Sequence, residues 1–529
     1  MKGVKLVAFL MMLFVAFAVG VNSAAAQEVT AAITGTVTDP AGAPIQGASV
    51  SAKDIARGVV FTAETNGDGA YYLTRVPVGR YEVKVEAKGF QTAVKAAFEL
   101  VLNQVARIDV QMVVGSVSQT VEVSGATPLL QTETTEISTH IDHVVTENVP
   151  LLTRNYGELS LLTPGAVSTN PGAFKSGQNT FQVGRPYING NREQTNNYIL
   201  DGVDNNQHDN NEVAYSPNPD AIQEFNLITQ NPSAEFGNFL GGIVNATIKS
   251  GTNSYHGSVF EFLRNDKFNA NEWSNKIDPD NQKAKPKLRY NQFGATIGGP
   301  ILRDKLFFFA DYQGLRNPTS SEPSVQVLSA AERAGNFGEL CTITSSFDAS
   351  GRCVDQTKQL FKPQAGVAPG ARSFVPFNNL VAAGIPLSSA AQAIVASDLY
   401  PAANVGTTTL NYSQRVENSA DQGDIKIDWV ASEKDHVFGR YSQQSVRNPT
   451  TQTYLLASNG FTDFEYPMRN GVVDWTHTIS PTLLNDLRLG LSYFPVSQGY
   501  TNPSGQNLPQ TFGIPGSSSH SAPHPEPPP

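Results

Sequence analysis

Between positions 201 and 209 the chain carries Asp201, Asp204, Asn205, Asn206, His208 and Asp209, a dense run of short hydrogen-bonding side chains. Such a run can contact a sugar, a peptide or a bound cation, or it can cap turns inside a domain. The sequence leaves both readings open, and these six residues are its candidate ligand-binding set. Cys341 and Cys353 are the two cysteines, separated by a polar stretch with Asp348, Ser350 and Gly351. In an oxidising compartment they could close one loop, the alternative being two separate thiols. His140 and His143 form an H-x-x-H pair, but without a third ligand nearby they read as surface polar residues, and no metal is expected. Asn66-Gly67-Asp68-Gly69 lacks the further spaced oxygen ligands and the distal Glu of a calcium loop, so it reads as a turn. There is no nucleophile elbow, phosphate loop or metal constellation. An enzyme is therefore not expected, nor is a cofactor.

The elements that must carry these residues are strands. In VPVGRYEVKVEAKGF, Tyr81, Val83 and Val85 alternate with Glu82, Lys84 and Glu86, the period of two of a half-buried antiparallel strand. Similar runs recur from Ala32 to about Val113 at a spacing of roughly 8 to 12 residues, which predicts a small β-sandwich. Further on, Leu487, Leu489, Leu491 and Tyr493 alternate with Asp486, Arg488, Gly490 and Ser492. Phe293, Ala295 and Ile297 oppose Gln292, Gly294 and Thr296, and Ile425, Ile427 and Trp429 oppose Asp424, Lys426 and Asp428. Apolar toward lipid and polar toward a lumen over about 9 to 11 residues is the arrangement of a membrane barrel strand. About seven such strands are expected beyond Gly251. Tight links at Gly299–Asp304 and Ala431–Asp435 alternate with a long stretch from Gly314 to Ala420 that holds both cysteines, the short-and-long rhythm of outer-membrane barrels.

Composition and the N-terminus fix the compartment. Lys2 and Lys5 precede an apolar run from Leu6 to Val19 that exits through Ala24, Ala25 and Ala26, which reads as a signal peptide cleaved before Gln27. Charged residues make up only 16 % of the chain, while Gly and Pro number 44 and 33, which suits strands, turns and polar loops better than a helical enzyme. A net charge of −10 leaves no basic face for phosphates and argues against nucleic acid as a partner.

Three stretches carry resemblances. GTVTDPAGAPIQGASV, TNGDGAYYLTRVPVGRYEVKVEAKGF and ARIDVQMVVGSV resemble the carboxypeptidase regulatory-like domain. The segment Gln119–Ala126 resembles the TonB box, an extended segment that adds as a strand to an energy-coupling protein; the alternative is the last strand of the sandwich. INGNREQTNNYILDGVDNNQ and GGIVNATIKSGTN resemble the plug domain of TonB-dependent receptors, and the whole is similar to their Oar-like group.

The resemblance implies a mainly β chain: a prealbumin/Ig-like sandwich, a plug domain and part of a transmembrane antiparallel β-barrel. The expected divisions are a signal peptide at 1–26, the sandwich at 27–114, a linker with the TonB box at 115–127, the plug at 128–250, barrel strands at 251–516 and a low-complexity tail at 517–529. It also implies a location in the outer membrane with the N-terminal domain in the periplasm. The implied partners are TonB, contacted through Thr120, Val121, Glu122, Val123 and Ser124, the lipid of the outer membrane, and an unidentified external substrate such as a carbohydrate or peptide. The function so implied is active uptake, and the competing one is a surface adhesin or secretion-associated β protein that moves no solute. Plugged barrels have ~22 strands, and SSSHSAPHPEPPP cannot form one, so the sequence is expected to be part of a longer parent.

Overall fold

The structure, a computed structural model, describes residues 30–115, 120–123, 133–151, 153–169, 184–207, 211–237, 239–277, 285, 287–321, 324–368, 371–398, 400–412, 414–449, 463–480, 483–495, 497–499 and 508–514. The segment 1–26 expected to be a signal peptide, Ser124, His208, Asp209 and the Pro-rich tail lie outside them. No described helix is long and apolar enough to cross a membrane.

The first unit is a two-layer sandwich. Its strands are β1 (Ala31–Thr38), β2 (Ser49–Asp54), β3 (Val60–Glu64), β4 (Ala70–Val76), β5 (Gly79–Glu86), β6 (Thr92–Leu100), β7 (Val105–Arg107), β8 (Val110–Gln111) and β9 (Thr120–Val123). One sheet has the order β4-β1-β7, with β8 also on β1; the other runs β3-β2-β5-β6-β9. The alternation expected of β5 is present, because Tyr81, Val83 and Val85 are buried in the core between the sheets with Ile33, Val50, Leu73 and Met112. The Asn66 turn is built by its own side chain, whose Oδ1 accepts the N–H groups of Asp68 at 3.0 Å and Ala70 at 2.9 Å.

The second unit contains β10 (Ile137–Asp142), β11 (Ala166–Val167), β12 (Tyr187–Ile188), β13 (Asn197–Leu200), β14 (Val203–Asp204), β15 (Asn206–Gln207), β16 (Glu212–Val213), β17 (Ile222–Gln230) and β18 (Ile243–Ile248). Its main sheet has the order β10-β17-β18-β13-β14, and β18 is buried along its whole length. Tyr156, Ile188, Phe225, Leu227 and Val244 fill its core, which Phe309 of the next unit joins.

The third unit is one antiparallel sheet of consecutive neighbours: β19 (His256–Asn265), β20 (Arg289–Leu302), β21 (Leu306–Ser321), β24 (Gln414–Val430), β25 (Asp435–Pro449), β26 (Asp463–Ser480) and β27 (Leu483–Tyr493), with β28 (Ser497–Gly499) also on β26. Between β21 and β24 lies a small ribbon of β22 (Ser324–Gln326) and β23 (Thr409–Asn411). These strands are longer than the sequence patterns alone suggest. The link expected at Gly299–Asp304 is strand as far as Leu302, and the stretch expected from Gly314 to Ala420 begins only after Ser321 and ends before Gln414. The reason is register. Asn317–Ser321 pairs with Gln414–Asn418 through backbone bonds, which a polar sequence satisfies as well as an apolar one once it leaves the lipid-facing zone.

Burial in this sheet is the reverse of a soluble sandwich. Asp424, Lys426, Gln422, Arg440, Gln444 and Asn470 are buried, whereas Ile425 is 58 % exposed and Leu491 73 %. Ile297, Ile427, Trp429, Val473, Leu487 and Leu489 join the outward apolar face. Exposed apolar surface of that extent is stable against lipid, not water.

Candidate functional site

The polar face of the barrel sheet is covered by the second unit, and charged side chains join them. Asp201 sits in the tight turn between β13 and β14 with φ +47°, followed by Gly202 at φ +77°. Its Oδ1 accepts Lys426 Nζ at 3.1 Å, and its Oδ2 accepts Arg440 Nε at 2.7 Å. Lys426 Nζ donates also to the carbonyl of Ile248 at 2.9 Å. Arg440 reaches Asn470 Oδ1 at 2.6 Å, and Ser442 joins Arg440 to Asp424. Tyr215 Oη donates to Asp424 Oδ2 at 2.8 Å from the second unit. Buried charges persist only when paired and hydrogen-bonded, and this network supplies both.

A second tie uses Arg154. Its Nε donates to Gln313 Oε1 and its Nη2 to Asn218 Oδ1, both at 3.1 Å, and it pairs with Asp220. The guanidinium carbon lies 4.4 and 4.6 Å from the ring centres of Phe260 and Phe262 on β19, within cation–π range. Two glycines allow close approach. A Cβ on Gly490 would stand 2.5 Å from Val203 Cγ1, and one on Gly251 would stand 2.4 Å from the carbonyl oxygen of Phe308. Gly490 thus admits a side chain of the second unit against β27, and Gly251 lets the chain cross the β20–β21 hairpin as it leaves that unit.

The six residues in the candidate ligand run separate on this geometry. Asp201 is engaged by the barrel cations. Asn205 is buried and bridges the backbone of Tyr215, donating to its carbonyl at 2.8 Å and accepting from its N–H at 2.9 Å. Asn206 is buried, accepts from Tyr198 N at 3.1 Å and donates to Asn197 Oδ1 at 2.7 Å. Asp204 is exposed, and its Oδ1 accepts the Asn206 N–H at 2.6 Å. The hydrogen bonds of Asn205 and Asn206 are internal to their unit, and Asp201 serves the barrel wall. Sequence reasoning missed Lys426 and Arg440 as partners of Asp201, and missed the ties made by Asp424 and Arg154; the visible signal was the run of full charges Asp424, Lys426 and Asp428 on the lumen side of a barrel strand.

The first unit meets the other two at the barrel's short turns. Asn253 Nδ2 donates to the Arg57 carbonyl at 2.8 Å and to Asp304 Oδ1 at 2.7 Å. Phe61 stacks on His436 with ring centres 5.0 Å apart, and Arg75 Nη1 lies 3.2 Å from Asp486 Oδ2. Between these contacts a cavity of about 1050 Å³ opens, lined among others by Arg57, Phe61, Asp428 and Arg488. Leu102 packs with Ile199, Ile228 and Ile243, and its N–H donates to Glu224 Oε2 at 2.8 Å. Burial holds the Glu224 carboxyl above the usual glutamate range, against the opposing pull of His140. His140, expected at the surface, is instead half-buried with Nδ1 3.4 Å from Glu224 Oε1, because β10 pairs with β17 and turns it toward that carboxylate. No group of three or more His, Cys, Asp or Glu that could hold a metal occurs among the described residues.

The TonB-box candidate forms β9, at the edge of the sandwich sheet, where Thr120–Val123 runs parallel to Thr92–Lys95 of β6. Cys341 and Cys353 form a disulfide with Cα atoms 5.9 Å apart in the long connection between β21 and β24.

An antiparallel sheet with an apolar outer face, a polar inner face and a separate unit fastened to that inner face defines an outer-membrane β-barrel protein. The chain belongs to the family described as outer membrane beta barrel domain, matched over residues 247–527. Residues 32–113 match the carboxypeptidase regulatory-like domain. The TonB-dependent transporter Oar of Myxococcus xanthus is 30 % identical over 264 residues, which are 47 % of this chain and 23 % of that protein. This chain therefore spans about a quarter of that relative's length. Among solved structures, the outer membrane transporter YddB of Escherichia coli is 12 % identical with a TM-score of 0.39, covering 68 % of this chain and 39 % of that one. A mutant ferric enterobactin receptor of Pseudomonas aeruginosa is 11 % identical with a TM-score of 0.33, covering 64 % and 38 %. The location is the outer membrane.

Proposed function

We propose that this chain acts within a TonB-dependent receptor for active uptake across the outer membrane, with residues 128–250 as its plug. The observation that carries the reading is the charged contact between Asp201 and the pair Lys426 and Arg440. A fixed, polar attachment on the lumen wall suits a plug that blocks a barrel and must be displaced as a body, whereas an adhesin has no need of it. The similarity to the Myxococcus xanthus transporter supports a receptor rather than an enzyme. No covalent chemistry is needed, because the work arrives mechanically through the TonB segment. The sandwich meets the short turns, which in outer-membrane barrels face the periplasm, so the coupling segment lies on the side where TonB operates. Substrate binds the long connections and the plug face on the opposite side; carbohydrate and peptide are the classes considered, and Asp204 is the described member of the candidate set left exposed.

The test is binding of the TonB periplasmic domain to the chain in detergent micelles and to two variants. Val121→Pro removes a backbone donor and fixes φ, so it abolishes binding, while Val121→Ala leaves it within a few-fold, as expected for main-chain recognition. Equal binding by the proline variant would remove this segment as the contact and favour the adhesin.

A further inference from the structure

The TonB-box candidate is already a strand before any partner arrives. Thr120, Val121, Glu122 and Val123 pair with Thr92, Ala93, Val94 and Lys95 in that order, in parallel. Every other pairing in that sheet, β3 with β2, β2 with β5 and β5 with β6, is antiparallel. Without β9, this part of β6 would present its outer backbone groups unpaired, the kind of edge that accepts a foreign strand. β9 is thus a short cover on an otherwise open edge, joined by one side of a four-residue backbone.

We infer that the sandwich stores the coupling strand: β9 docked on β6 is the resting position, and TonB binds only the undocked segment, so the carboxypeptidase regulatory-like domain regulates access to it. This rests on the proposed TonB reading of Thr120–Val123. Two features of the geometry favour exclusion over simple addition of TonB to the outer edge of β9. The sheet is fixed to the barrel mouth at its opposite edge, where Arg57 in the β2–β3 turn and Phe61 on β3 meet Asn253 and His436, so a docked β9 cannot move toward TonB without the anchored sheet. In addition, a force applied to β9 must pass along the chain to the plug, and while β9 is held by β6 that force loads the sandwich instead. Release costs only one edge of a short strand, and such peripheral elements open at the low end of a protein's local stabilities. TonB replaces the lost ladder with its own.

The register gives the experiment. Val94 and Glu122 are Cα partners, and Val94 is half-buried, away from the centre of the core. The double variant Val94→Cys with Glu122→Cys, made in the full chain, is oxidised, mapped by peptide mass spectrometry, and titrated with the TonB periplasmic domain in micelles before and after reduction. A synthetic peptide of residues 116–127 is titrated in parallel. The expected result is a cross-link that weakens TonB binding by at least about tenfold, restored on reduction, since locking the segment removes the competent fraction. Failure of the two cysteines to join overturns docking. Equal binding by locked and reduced forms, with the peptide binding normally, overturns exclusion and means that TonB adds to the outer edge. If neither peptide nor reduced chain binds, the TonB reading itself falls and takes this inference with it. An independent check needs no substitution: adding the TonB domain to the unaltered chain should speed hydrogen exchange at the β6 amides facing β9, and unchanged protection there contradicts release.

Discussion

Arg440 Nε donates to Asp201 Oδ2 at 2.7 Å with both side chains withdrawn from solvent, joining residues 239 positions apart across the boundary between the inner unit and the barrel wall. Lys426 binds the other oxygen of the same carboxylate. Removing one member of a buried pair leaves the other charged and unpaired, which costs about 3–5 kcal/mol. Asp201→Ala is therefore expected to destabilise the inner unit on the wall by about 3 kcal/mol or more, seen as a lower denaturant midpoint and faster proteolysis within 133–250. A midpoint unchanged within error would show that the cluster does not hold the two parts together.

Glu224 gives the contact between sandwich and inner unit a pH dependence. Its folded pKa is raised by burial, so between the ordinary glutamate pKa and the raised one the folded protein binds more protons than the unfolded chain. Stability contributed by this group therefore falls as pH rises through that window and is recovered as pH drops. Glu224→Gln keeps an oxygen for the Leu102 N–H and removes the charge. The variant should melt at a higher temperature than the parent near pH 7, and the difference should shrink toward pH 4. Parallel melting curves at both pH values would rule out this carboxyl as the source.

The sandwich and the barrel strands were legible because their burial follows a period of two over single runs: Tyr81, Val83 and Val85 inward, Leu487, Leu489 and Leu491 outward. What a single run left open is whether its apolar face meets lipid or a protein core, since a sandwich strand alternates too; the repetition over several strands decided it. The Asp201–Lys426–Arg440 cluster was not legible, because nothing local links a turn aspartate to two cations more than 200 residues away. The candidate ligand run illustrates the same limit. Asn205 and Asn206 have the composition of a binding loop, but their hydrogen bonds are spent on Tyr215, Tyr198 and Asn197, partners that only folding identifies. That Thr120–Val123 adds to the sandwich was one of the two readings open in the sequence, but its parallel sense and its register on β6 were hidden, because backbone pairing leaves little mark on side-chain type.

Cys341 and Cys353 close a loop with a sequence separation of 12 inside the long connection, far from the barrel strands in sequence. A loop of about 15 residues gains roughly 3 kcal/mol from such closure. Cys341→Ser with Cys353→Ser should loosen this connection, with new protease cuts between 324 and 412, while the strands on either side of it stay protected. A non-reduced digest of the parent should yield the two peptides linked. Free thiols in the exported protein would contradict the pairing.

Gly490 and Val203 offer the sharpest test of how the inner unit seats against the barrel. Position 490 lies on the lumen side of β27, between Leu489 and Leu491 on the apolar side, and a Cβ there would meet Val203 Cγ1 at 2.5 Å and Cβ at 2.8 Å. Contacts under about 3 Å cannot be absorbed without movement, and overpacking of this kind costs about 1–3 kcal/mol. Gly490→Ala should therefore destabilise the inner unit, whereas a lipid-facing exchange beside it, Leu489→Val, should leave that unit's protection from protease unchanged. Val203→Ala removes the nearer collision, with Cγ1, and leaves Cβ at 2.8 Å. If the two surfaces meet as described, Val203→Ala should restore part of the stability lost in Gly490→Ala, giving a double-mutant coupling of about 0.5 kcal/mol or more, the range expected of residues in contact. Additive effects of the two substitutions would mean that Val203 does not rest on β27, and the seating of the inner unit at that strand would have to be redrawn.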